Sequence, residues 1–283
     1  MLTSSNSISY HKNCIKNKSI KLLGIPFDGT VSYRPGSRFA PSALRNEWYG
    51  IETYSPYQDK DLEDYCVEDL GDVEVPIGNT LKTLDCIESK VSEIISKDSV
   101  LISIGGEHLV TYPIIKAFSK TYENLCIIHL DAHADLREDY LGEKLSHATV
   151  IRLCHEILGD DRIFQFGIRS GTKDEFAFAS SGKVKMHKFT LKGLEEISSK
   201  LSTRPVYLTI DLDVLDPSVF PGTGTPEPGG ASFNDLIDFI IRMKNLNIVG
   251  ADIVELSPHY DHSGVSTAVA CKVLRELMLA VCK

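Results

Sequence analysis

Two patterns of apolar residues alternate along the chain. The first is a short run that is apolar throughout: KLLGIPF (21–27), SVLISIGG (99–106), LCIIHLD (125–131), RIFQFGI (162–168), PVYLTIDLD (205–213) and NIVGADIVEL (247–256). Runs of this length, rich in Ile, Val and Leu, predict strands buried on both faces. The second pattern repeats every three or four residues. Leu81, Leu84, Ile87, Val91, Ile94 and Ile95 form one helical stripe over 80–96. PSALRNEWYG (41–50) begins with Pro, suited to a first helical turn, and ends with Gly. Further helices are predicted near 109–120, 147–158, 190–200, 231–245 and 264–281. Buried strands separated by helices predict an α/β protein with a mostly parallel sheet covered on both faces. Residues 1–20, rich in Ser, Asn and Lys, are expected to form a flexible arm. Residues 21–283 are expected to form one domain, since no repeat, low-complexity block or Pro/Gly/Ser-rich linker divides them.

Composition narrows the class. The chain has 283 residues, 42% hydrophobic and 24% charged, enough for a large core. The start of the chain is polar and lacks the apolar stretch of a signal peptide, and no run approaches ~18 apolar residues, so neither secretion nor membrane insertion is expected. The seven cysteines are scattered, odd in number and never spaced C-x-x-C. That argues against a disulfide framework or a zinc knuckle and suits a reducing cytoplasm. A net charge of −9 disfavours nucleic acid as a partner and mildly favours a small cation.

The strand ends carry the chemistry. Asp131, His133 and Asp135 alternate just past LCIIHL. Glu107 and His108 follow the glycine turn after SVLISI. Asp211 and Asp213 close PVYLTI, and Glu255 closes NIVGADIV. In an open parallel sheet, ligands bind outside the carboxyl ends of the strands, so four strands would deliver acids and imidazoles to one edge. Alternate residues of an extended segment share a side, so Asp131, His133 and Asp135 can face one point, and Asp211 and Asp213 another. Carboxylates gathered there repel unless cations neutralise them. His108, Asp131, His133, Asp135, Asp211 and Asp213 include four anions, which two divalent ions balance. Such an oxygen-rich set with two imidazoles suits Mn(II), with Ni, Co and Zn also compatible. Two ions ~3.5–4 Å apart can share a bridging hydroxide, a nucleophile at neutral pH. Taken singly, each motif also fits a polar loop, a helix cap or a tight turn. Their coincidence at strand ends favours the metal centre.

In this order the segments resemble the arginase/agmatinase superfamily, the ureohydrolases. The resemblance lies in IGGEH (104–108), DAHAD (131–135), SHAT (146–149), DLDVLDPSVFPGTGTPEPGG (211–230) and DIVELSP (252–258), with YRPGSRFAPSALR (33–45) similar to the family's N-terminal segment. It extends from about residue 21 to the C-terminus. It implies a three-layer α/β/α sandwich around a mainly parallel eight-stranded sheet, two manganese ions, and a trimer or hexamer. It also implies that His108, Asp131, Asp135 and Asp211 hold one ion and that Asp131, His133, Asp211 and Asp213 hold the other, with Asp131 and Asp211 bridging. His147 matches a histidine that transfers protons or contacts substrate, and Glu255 a glutamate that grips guanidinium. GTGTPEPGG, with Glu227 between prolines, is nearer to the agmatinase branch. Arg137 stands where arginases place an Asn that binds a carboxylate. SHAT departs from the His-Gly form of several relatives.

The implied reaction is hydrolysis of a guanidinium, whose resonance makes its carbon a poor electrophile. Asp135 could orient the hydroxide, Glu255 could pair with the guanidinium through two charge-assisted bonds, and His147 could protonate the departing amine. His147 can instead cap the following helix, and Glu255 can be a structural acid. His129, mid-strand, reads as a core histidine. The loop DLREDYLGEK (135–144) places Glu138, Asp139 and Glu143 beyond Asp135. An acidic mouth would favour the ammonium of agmatine over a carboxylate, with Arg137 pointing outward, and the products would be putrescine and urea. Guanidinobutyrate, arginine and guanidine are the alternative substrates. A non-catalytic metal-binding relative is the alternative class, and the complete ligand set argues against it.

Overall fold

The structure, a computed structural model, describes residues 7–11 and 19–282. Its strands are β1 (Ser19–Gly24), β2 (Tyr54–Ser55), β3 (Lys60–Asp61), β4 (Val67–Asp72), β5 (Ser99–Ile104), β6 (Cys126–Leu130), β7 (Ile163–Ile168), β8 (Lys185–Lys188), β9 (Pro205–Asp211) and β10 (Asn247–Val254). Its helices are α1 (Ala40–Glu47), α2 (Thr80–Ile94), α3 (Thr111–Thr121), α4 (Val150–Leu158), α5 (Lys173–Phe178), α6 (Leu194–Leu201), α7 (Phe233–Arg242) and α8 (Val265–Val281). Eight strands form one sheet in the order β4-β1-β5-β10-β9-β6-β7-β8. Every neighbouring pair in it is parallel. β2 and β3 pair separately as a small antiparallel ribbon.

Side chains of the central strands alternate between two cores. Val100, Ile102, Ile104, Ile128, Leu130, Leu208 and Ile210 pack with residues of α1, α6, α7 and α8. Leu101, Ile127 and Tyr207 pack with residues of α2, α3 and α4 on the opposite face. The result is the expected three-layer α/β/α sandwich, with the sheet parallel throughout. Strands β5, β10, β9 and β6 lie side by side at its centre, so their carboxyl ends share one stretch of edge.

Several expectations need correction. Ser19 and Ile20 belong to β1 rather than to an arm. Ile8 is buried and Tyr10 pairs with Val67, so residues 7–11 pack on the sheet. The rest of the predicted arm lies outside the described residues. Cys66 is disulfide-bonded, which the scattered spacing did not suggest. Cys86, Cys126, Cys154, Cys271 and Cys282 are free. Among the described residues no helix is long and apolar enough to cross a membrane.

Candidate metal centre and substrate pocket

The site begins at the turn after β5. A Cβ on Gly105 would lie 2.5 Å from Val254 Cγ1, and one on Gly106 would lie 1.8 Å from the Phe27 carbonyl oxygen. Only glycines let this turn pass between β1 and β10. The turn delivers His108, whose backbone N–H donates to Glu255 Oε1 at 2.8 Å. Glu255 and Asp135 both have left-handed backbones, with φ of 66° and 52°. Residues other than glycine adopt this conformation at a cost, and such strain tends to collect at functional sites.

His108 Nδ1 faces Asp131 Oδ2 at 3.1 Å and Asp135 Oδ2 and Asp211 Oδ2 at 3.3 Å each. All four side chains are buried. The opposite ring nitrogen, Nε2, lies 2.9 Å from Thr209 Oγ1. That hydroxyl donates to Asp252 Oδ1 at 2.6 Å, so it accepts from His108, and Nε2 carries a proton. Asp252 is itself held by the Tyr207 and Thr111 hydroxyls. His108 Nδ1 therefore aims at three carboxylates from a buried position, yet makes no hydrogen bond. A lone pair surrounded by anions requires a cation, either a proton or a metal ion. Burial opposes a charged imidazole here, but Asp131, Asp135 and Asp211 outweigh it and hold the pKa well above the ordinary histidine value. A site that binds a proton this way has the donors, charge and spacing to bind a metal instead.

The second half adjoins it. His133 Nδ1 lies 2.9 Å from Asp213 Oδ2 and 3.5 Å from Asp131 Oδ1. Asp213 Oδ1 accepts from the Ala132 N–H, and Asp211 Oδ1 accepts from the Asp213 N–H, so the two loops brace each other. Asp131, His133 and Asp213 form one potential ligand group; His108, Asp131 and Asp135 belong to another that also includes His129 by distance. His129 is better read as support. Gln165 Nε2, which also donates to the Ala134 carbonyl, donates to His129 Nδ1, so His129 Nε2–H donates to Asp131 Oδ2 at 2.8 Å. Both of its ring nitrogens are used, as expected of a core histidine.

The acids do not ionise alike. Burial raises Asp135 to about 7, with repulsion from Asp131 adding to it. Burial and repulsion from Asp213 and Asp131 hold Asp211 well above the carboxylate range. Burial and repulsion from Glu107 do the same for Glu255. Asp131 moves the other way: burial opposes its charge, but His129, His108 and His133 hold it well below the usual value.

These groups open into a cavity of about 290 Å³ whose lining includes His108, His133, Asp135, Asp211, His147 and Glu255. The structure thus brings together every residue singled out for the site, with Asp213 just behind His133. A larger depression of about 530 Å³ beside Arg169 and Phe239 contains none of them. Ser146, not His147, caps the helical turn that follows, which leaves the His147 ring free of that task. The three acids expected at the mouth do not line the cavity. Glu138, Asp139 and Glu143 are exposed and lie outside the cavity lining. Arg137, expected to point outward, lines the cavity with its Nε 3.5 Å from Glu175 Oε2 and its guanidinium 4.9 Å from the Tyr140 ring. Sequence reasoning missed Glu175, Thr30 and Ser32. For Glu175 a signal existed, the T-x-x-E capping box of Thr172 and Glu175.

The chain matches the Arginase family over residues 18–280. It is 49% identical over 265 residues to an agmatinase of Bacillus subtilis, covering 93% of this chain and 91% of that protein. The crystal structure of a candidate agmatinase from Clostridium difficile superposes with a TM-score of 0.91 at 52% identity, covering 94% of this chain and 97% of that one. The agmatine ureohydrolase of Thermoplasma volcanium superposes with a TM-score of 0.86 at 33% identity, covering 99% of this chain and 95% of that one.

Proposed function

Because this chain belongs to the arginase family and is a ureohydrolase, we propose that it hydrolyses agmatine to putrescine and urea at the cluster above, using two Mn(II) ions. The observation that carries the reading is the buried His108 Nδ1, set against three carboxylates at 3.1–3.3 Å beside an open cavity. His108, Asp131, Asp135 and Asp211 would hold one ion, and Asp131, His133, Asp211 and Asp213 the other. Four carboxylates then balance two divalent charges. Bound there, the ions supply the positive charge that lowers the pKa of water towards neutrality.

This chain's own groups do the rest. Glu255 faces the cavity and binds the guanidinium by charge-assisted hydrogen bonds, placing its carbon for attack. Asp135 accepts a hydrogen bond from the attacking water. Water oxygen adds to the guanidinium carbon as one water proton passes to His147, the bond to the substituted nitrogen breaks, and the second proton leaves the oxygen as urea forms, so that the amine departs protonated. His147 gives that nitrogen the proton it has taken from the water. Burial, only partly offset by a hydrogen bond to Thr30, lowers its pKa from the ordinary histidine value.

Urea release from agmatine, guanidinobutyrate and arginine by manganese-reconstituted protein tests the substrate. We expect kcat/KM for agmatine at least ~100-fold above that for arginine, about 2.7 kcal/mol at the transition state. Comparable values for agmatine and arginine would overturn the assignment. A preference for guanidinobutyrate would mean that Arg137, which lines the cavity, reads a carboxylate.

A further inference from the structure

The loop after β1 contributes none of the clustered acids, yet it supplies part of the cavity wall through Ser32. Thr30 ties this loop to two other segments. Its N–H donates to Glu107 Oε2 at 2.9 Å, and its hydroxyl donates to Glu107 Oε1 at 2.6 Å. The same hydroxyl accepts from the His147 backbone N–H at 3.1 Å. The Thr30 carbonyl lies 3.0 Å from His147 Nδ1. A carbonyl can only accept, so Nδ1 carries a proton, with Ser146 Oγ a further neighbour at 3.4 Å. His147 Nε2 is then the atom left for exchange, 3.3 Å from Ser32 Oγ. Glu107 is fully buried, and its N–H donates to the Phe27 carbonyl.

We propose that Thr30, clamped on Glu107, is a positioning residue for His147, fixing its ring orientation and tautomer so that Nε2 is the nitrogen that gives the departing amine its proton. This rests on the role of His147 proposed above. An imidazole with an unrestrained ring can turn by 180° and put a carbon where Nδ1 now bonds, or move its proton to the other nitrogen. The hydrogen bond to the Thr30 carbonyl opposes both changes. A loop carbonyl holds a ring only as well as the loop itself is held, and the paired bonds to Glu107 hold it. The bond from the His147 N–H to the Thr30 hydroxyl closes the link, so ring and backbone of His147 are referenced to one residue.

Thr30→Val keeps the side-chain shape and removes the hydroxyl, whereas Thr30→Ser keeps the hydroxyl. In the manganese-loaded protein with agmatine, we expect Thr30→Val to lower kcat ~10- to 100-fold, with KM within ~2-fold and bound metal per chain unchanged. Thr30→Ser should stay within ~3-fold of wild type. The decisive readout is a double-mutant cycle: in a His147→Asn background, Thr30→Val should cost less than ~3-fold, because it acts through a ring no longer there. An equal fall in both backgrounds, a wild-type kcat for Thr30→Val, or loss of metal from that variant would each overturn the proposal. A full-rate His147→Asn would instead sink the proton-transfer role on which it rests, whatever Thr30 does.

Discussion

Asp131 is held from several directions at once. Its Oδ2 accepts from His129 Nε2 and faces His108 Nδ1, while its Oδ1 accepts from the His133 N–H at 2.5 Å. An amide in its place carries no charge and brings two donors where only acceptors are wanted. We therefore expect Asp131→Asn to bind fewer than two metals per chain and to lose at least ~10³-fold in rate. Thr209 acts more gently, since it touches only the back of His108. Thr209→Val would leave a buried Nε2–H without a partner and free the ring to place its proton on Nδ1 instead. The expected result is ~10- to 100-fold weaker metal binding, typical for loss of a group that orients a ligand, with Thr209→Ser close to wild type. Metal titration followed by elemental analysis checks both. If Asp131→Asn keeps two metals and near-normal turnover, the dinuclear assignment is wrong. If Thr209→Val binds metal as wild type does, the histidine needs no orienting.

The turn joining β5 to α3 does for the site at the scale of an element what Thr209 does at the scale of a residue. Its glycines let β5, β10 and the residues after β1 approach one another, so one backbone path positions Glu107, His108 and Glu255 together. Gly106→Ala would force a methyl group against the backbone oxygen of Phe27, which cannot swing aside as a side chain could. We expect a loss of more than ~2 kcal/mol in urea unfolding, measured with metal removed. A change under ~0.5 kcal/mol would show that the close approach is not needed. How visible an element is in sequence follows from its place in the sheet. The central strands are buried on both faces and stand out as apolar runs. Within the eight-stranded sheet, the two strands without an apolar run are the edges: β4 reads VEDLGD and β8 reads KMHK. Edge strands are half-exposed, and polar residues there discourage pairing with other chains, which removes the apolar signal. The acids at the strand ends were legible because charge is out of place in a core. Thr30 and Ser32 were not, because polar residues in loops are ordinary and only the fold brings them to the site; Glu175 was legible only as part of a helix-capping box, not as a cavity residue. Arg137 turns inward against expectation for the same reason: the sequence of the loop after Asp135 does not say which of its side chains face the cavity.

Across the whole molecule, the cluster links protonation, metal binding and stability. Asp135, raised to about 7, and Asp211 and Glu255, raised well above the carboxylate range, hold protons in the folded chelated protein that the unfolded chain would release. Each group bound to more protons when folded loses stability as pH climbs from its unfolded value, near 4, through its raised one. His108 and His133 are raised as well: burial disfavours their charge, but Asp131, Asp135 and Asp211 for His108, and Asp213 and Asp131 for His133, outweigh it. Their contribution is complete below about pH 6.5 and fades as pH passes their folded values, so it has the same sign. Asp131 is opposite, since its depressed pKa gives stability that is lost only in acid, below the usual carboxylate range. The chelated protein should therefore be less stable at about pH 8 than at about pH 6. Metal ions need those same groups deprotonated, so their binding tightens over that interval by up to about 1.4 kcal/mol per displaced proton per pH unit. Metal stabilises the folded state by mass action, and the gap in Tm between manganese-loaded and chelated protein should widen from about pH 6 to about pH 8. Thermal melts at matched ionic strength, with and without chelator, measure that gap. Adding manganese to chelator-free apoprotein in weak buffer near pH 7 should also release protons. A gap that stays constant, together with no proton release, would mean that the buried carboxylates are already ionised without metal. The positive charge that balances them would then have to come from somewhere other than the proposed ions.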